Sequence, residues 1–134
     1  MTAGYSGTPL PKKLGIKPGM RAAALNAPKQ YTTLLGPLDG IRIGSRLSPG
    51  LDFIHAFFRR VGDLEAAFPR LKKSLARDGT LWISWPKKSS PLAGDLAEGE
   101  VRAIGLASGL VDVKVCAVDE DWSGLKFVYR LKDR

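Results

Sequence analysis

The sequence contains one cysteine, Cys116, and one histidine, His55, in 134 residues. A lone cysteine excludes an internal disulfide and fits a reduced, cytoplasmic protein. No apolar run approaches the ~20 residues needed to span a bilayer. Residues 1–9 lack the apolar stretch of a secretion signal, so neither a membrane partner nor export is expected. The first thirty residues contain no acid, yet carry Lys12, Lys13, Lys17, Arg21 and Lys29. The net charge is +8, and most carboxylates lie after residue 91. Such a basic N-terminal half suits an anionic small molecule, an acidic protein or, as a weaker candidate, nucleic acid.

The length fits one domain, residues 1–134, large enough to bury a core without a metal or disulfide staple. Residues 8–15 read as a short helix, with Thr8 as N-cap and Pro9 in the first turn. Residues 20–27 are a short apolar run read as a buried strand. A short helix over 29–35 follows, then strands over 41–45 and 51–58. Residues 63–77 have helical spacing, with Leu64, Ala67, Leu71 and Leu75 on one face; Asp63 is the expected cap and Pro69 an expected kink or break. Residues 80–85 form the clearest strand, ended by Pro86. Asp95 and Glu98 read as a capping box for the next helix, which Gly109 ends. Strands over 110–118 and 124–131 are close enough for an antiparallel hairpin, and Leu125, Phe127 and Tyr129 share a face.

The order β-α-β-β-α-β-α-β-β predicts a three-layer α/β domain with a mostly parallel, Rossmann-like sheet of about six strands and a C-terminal antiparallel hairpin. The run from Leu71 to Pro86 (LKKSLARDGTLWISWP) resembles the helix, glycine turn and fifth strand of class I methyltransferases, and Ala107–Val111 resembles their entry into the hairpin. The stretches Lys13–Gly19, Ile83–Lys88, Val111–Asp119 and Trp122–Lys126 are similar to a family of small bacterial proteins of this type, which implies the fold but no activity. Only about seven residues separate the second and third strands read here, so the methyltransferases' third strand is expected to be missing. That leaves an exposed sheet edge that could pair with another subunit.

Methyltransferases resembling this chain carry an acid-and-glycine loop after their first strand, where the backbone meets S-adenosylmethionine. Here the position reads Leu25-Asn-Ala-Pro-Lys-Gln-Tyr31, with no glycine, and Pro28 removes a donor. Ser45 and Arg46 stand where an acid would hold the ribose. These residues argue against S-adenosylmethionine, leave the cofactor unknown, and favour a non-catalytic binding or regulatory protein. A divergent S-adenosylmethionine-dependent methyltransferase and a nucleic-acid-associated protein are the alternatives.

Ligands of open parallel sheets sit at the carboxyl ends of the strands. That rule gathers Asn26, Lys29, Arg46, Arg59, Arg60, Lys87 and Lys88 along one edge, with Trp85, Trp122 and Ser123 beside them. Cations next to indoles suit a phosphorylated or nucleotide-like anion. No catalytic or metal-binding residue is proposed. Mid-strand His55 is expected to be a satisfied core or interface residue, Cys116 a small core residue and Asp119-Glu120-Asp121 a solvated turn.

Overall fold

The structure, a computed structural model, describes residues 8–134. Most of the N-terminal stretch read above, residues 1–7, lies outside the described residues. Helices α1 (Leu10–Leu14), α2 (Tyr31–Leu35), α3 (Val61–Ser74) and α4 (Glu98–Ala107) flank one sheet. Its strands are β1 (Ala22–Leu25), β2 (Ile43–Gly44), β3 (Leu51–Phe57), β4 (Leu75–Pro86), β5 (Leu110–Ala117) and β6 (Trp122–Tyr129), in the order β2-β1-β3-β4-β6-β5. The four neighbours from β2 to β4 run parallel, whereas β4–β6 and β6–β5 are antiparallel. This is the expected Rossmann-like sheet with its C-terminal hairpin. No strand follows β2 at that edge, and the 45–50 connection is too short to hold a crossover helix.

Strand alternation divides the core into two layers. Ile54 and Ala56 of β3, Leu81, Ile83 and Trp85 of β4, and Leu125, Phe127 and Tyr129 of β6 face α3 and α4. The intervening Phe53, Phe57 and Trp82 pack with Leu10, Leu14, Tyr31 and Leu35 of α1 and α2. The Trp82 indole donates to the Leu14 carbonyl at 2.8 Å, which pins the short α1 to the sheet. On the other face, a Cβ at Gly105 would enter the Phe127 ring, so α4 can approach β6 only through a glycine.

Several local readings need correction. The N-cap position of α1 is Pro9, not Thr8, and no side chain caps it. Pro69 neither breaks nor splits α3, which runs from Val61 to Ser74 as one helix. Its buried face (Leu64, Ala67, Phe68, Leu71) supplies packing that outweighs one lost backbone bond. The following strand begins at Leu75 rather than Thr80, because Leu75 pairs with Leu51 ahead of a register irregularity. Asp95 does not cap its own helix. Its Oδ1 accepts from the Val61 amide at 2.9 Å, capping α3 from across the layer, while Glu100 accepts from the Ala97 amide at the start of α4.

Candidate functional site

The site is built at the carboxyl ends of β1 and β3. β1 stops at Leu25, and Asn26 turns the chain with φ +58, the one non-glycine residue at positive φ among the described residues. Asparagine tolerates this left-handed conformation because its short amide bonds locally. Here the Asn26 Nδ2 donates to the Phe57 carbonyl at the end of β3 (3.2 Å). The turn that a glycine would allow is therefore made without one.

Beside it, Leu25, Asn26, Phe58, Asp63, Ala66, Ala67 and Arg70 line an open cleft of about 270 Å³. A second depression of about 430 Å³, lined by Ser45, Arg46, Leu47, Lys73 and others, shares Leu25 and Arg70 with it. The two form one groove along α3, under the loop that replaces the missing crossover. Asp63, Ala66, Ala67 and Arg70 have the i, i+3, i+4, i+7 spacing of one helical face. The two alanines leave room, and the two charged residues stand at the ends. This face was legible in the helical pattern, but the carboxyl-edge rule looks only at strand ends and missed it.

The ten edge residues separate. Asn26 and Arg46 line this groove. Trp85, Lys87, Lys88 and Ser123 line a different depression of about 400 Å³ against the start of α4. Arg59 lines neither, and its Nε donates to the Leu92 carbonyl at 2.6 Å. Arg60 is the N-cap residue of α3, and Lys29 is exposed in the turn before α2. Trp122 is buried against the edge of Phe57 (5.1 Å between ring centres), and its indole nitrogen has no partner among the described residues.

His55 and Tyr31 are structural. His55 is fully buried; its Nδ1 shares a hydrogen bond with the Tyr31 hydroxyl (2.9 Å) and its Nε2 with the Ser84 hydroxyl (2.7 Å). Burial lowers its pKa to about 3, so the ring is neutral, and burial likewise raises that of Tyr31. This chain joins β3, β4 and α2, and so holds the segment after Asn26 against the sheet. Cys116 is half-buried, and its thiol is pushed up by desolvation. The acidic turn is more than a solvated loop. Asp119 Oδ1 accepts from the amides of Asp121 and Trp122 (2.8 Å each), and Asp121 Oδ1 accepts from the Ser90 hydroxyl (2.8 Å). No group of three or more metal-ligating side chains occurs among the described residues, and none of their helices is long and apolar enough to cross a membrane.

No protein-family model and no curated protein matches the sequence. Solved structures do match in fold. A SAM-dependent methyltransferase from Aquifex aeolicus superposes with a TM-score of 0.62 at 17% identity, over 87% of this chain and 85% of that one. Magnesium protoporphyrin IX methyltransferase (ChlM) from Synechocystis PCC 6803, with bound SAH, gives 0.61 at 11%, over 90% and 78%. LepI in complex with SAM gives 0.54 at 13%, over 90% of this chain and 39% of its own. The chain thus has the class I methyltransferase fold, shortened after its second strand.

Two expectations fall. S-Adenosylmethionine was argued against and a non-catalytic role favoured, whereas neighbours of this same fold are methyltransferases found with SAM or SAH bound. Of the grounds for the exclusion, the left-handed Asn26 answers only the turn geometry that a glycine would have supplied; Pro28, Ser45 and Arg46 stand as read.

Proposed function

We propose that the chain is an S-adenosylmethionine-dependent methyltransferase whose cofactor lies in the groove between the ends of β1 and β3 and helix α3. The observation that carries this reading is Asn26, held at positive φ beside a groove of mixed apolar and charged lining. Backbone strain of this kind is kept where surrounding structure or function over-determines it.

The lining suits the chemistry of the group. Leu25, Leu47 and Phe58 offer apolar surface for a base. Asp63 supplies a carboxylate for a cationic or hydroxyl-bearing part, and Arg70 a fork for a carboxylate. When bound, the cofactor supplies a methyl group on a sulfonium, ready for transfer to a nucleophile. The His55 chain holds the β1–α2 segment in place from beneath.

Isothermal titration with S-adenosylmethionine and its demethylated product tests the reading. Heat of binding is expected with both, and Asp63→Asn or Arg70→Ala should weaken it roughly tenfold or more, the scale of a lost charge-assisted bond. No heat from either compound at millimolar concentration would overturn it.

A further inference from the structure

Among the described residues, the sheet face that bears the second core layer is covered only in part. Helices α1 and α2, five residues each, pack on Ala22 and Ala24 of β1, Phe53 and Phe57 of β3 and Trp82 of β4. The outer strands contribute Cys116 of β5 and Trp122 of β6 to this layer. Beyond them the face is basic. Lys126 of β6 stands opposite Trp82 on one side and opposite Lys114 of β5 on the other. Directly opposed residues share a face, so two lysines are set side by side, an arrangement that destabilises a sheet.

Neither β5 nor β6 places an acid on this face. The positive charges of Lys13 and Lys114 both act on the Cys116 thiol, and Lys114 acts on the half-buried Lys126. The one acid of β5, Asp112, pairs with Phe127 on the opposite face and is held by Arg102 at 3.0 Å. β6 contains no acid. Lys13 completes the cluster from α1, its ammonium donating to the Ala117 carbonyl at 2.7 Å. Like charges paired across a sheet, as Lys114 and Lys126 are, mark the kind of local inconsistency that function retains.

We propose that the Lys114–Lys126 face binds the phosphate backbone of a nucleic acid. Adjacent strands lie about 4.8 Å apart, so neighbouring lysines can share or flank successive phosphates. A membrane would need an apolar segment to insert; α1 buries both of its leucines, and the exposed apolar residues of β5, Val113 and Val115, are two isolated strand positions on either side of Lys114. The proposal stands apart from the methyl-transfer reading, since binding is measured without cofactor.

The test is fluorescence anisotropy of a labelled 20-nucleotide single-stranded RNA across salt concentrations. Wild type is expected to bind, and the Lys114→Gln/Lys126→Gln variant to lose about three- to tenfold in affinity. The slope of log K against log salt should shrink by roughly 1.4, the value for two phosphates on a single strand. A control variant, Lys88→Gln/Lys132→Gln, removes the same charge elsewhere and should retain most of the affinity. Circular dichroism confirms that each variant is folded; if Lys126→Gln disturbs the sheet, Lys114→Gln alone must still lower affinity and slope. Equal losses in both double variants, no binding to RNA at 50 mM salt, or binding only to vesicles containing phosphatidylserine would each overturn the proposal.

Discussion

At the scale of single residues, two positions show how tightly the structure constrains chemistry that a sequence leaves open. Gly105 meets the Phe127 ring so closely that any Cβ must displace it. Gly105→Ala, normally a helix-stabilising change, should therefore destabilise by about 1–3 kcal/mol through overpacking. Thermal unfolding should show this as a Tm lowered by roughly 4 °C per kcal/mol. His55 makes the second case. Its folded pKa is about 3 and its ordinary value is 6.5, so below pH 6.5 the unfolded chain takes up a proton that the folded chain refuses. The stability it contributes is whole above pH 6.5 and is lost as pH falls towards 3, at up to about 1.4 kcal/mol per pH unit. Urea unfolding at pH 7.5, 6 and 5 should show that slope, and His55→Gln should flatten it. An unchanged slope in the variant would assign the pH dependence to carboxylates instead.

At the scale of elements, loops do as much as strands to place the groove. The N-terminus of α3 is fixed by Asp95 from the β4–α4 loop, and the same loop is tied to Arg59 through Leu92. Gly94 permits this, because a Cβ there would strike the Arg59 carbonyl. Asp95→Ala should cost about 0.5–2 kcal/mol, the usual value of an N-cap, and should be felt at Asp63 in the first turn of α3. The expected outcome in calorimetry is a lower melting temperature together with weaker cofactor binding. Local propensity at Asp95 favoured capping its own helix, and only the packing of two distant segments redirected it.

At the scale of the whole molecule, a shortened sheet keeps a complete core. The two layers close around β3 and β4, while the truncated side after β2 opens the groove along α3. A ligand bound there bridges β1, the 45–49 segment and α3, and so should stabilise the fold as a unit. The demethylated cofactor at a hundred times its dissociation constant is expected to add about 2.7 kcal/mol, read as a rise in melting temperature. At the same ligand concentration a tenfold weaker Arg70→Ala site should keep only about 1.4 kcal/mol of this, roughly half the rise, since its side chain lines both halves of the groove.

The sequence by itself determined the class of fold: the alternation of short strands with helical spacing, and the hairpin that closes the chain, were readable because period and turn chemistry are local. It also marked His55 as a core residue, since a mid-strand position between apolar neighbours offers no cleft. Tertiary structure alone decided the groove. Asp63 and Arg70 meet Asn26 only when α3 packs beside β1, and the left-handed turn at Asn26 depends on a carbonyl 31 residues away. The pairing of Lys114 with Lys126 likewise exists only in the register of the hairpin, which the bulged pairing between Asp112 and Lys114 sets and no residue count could supply.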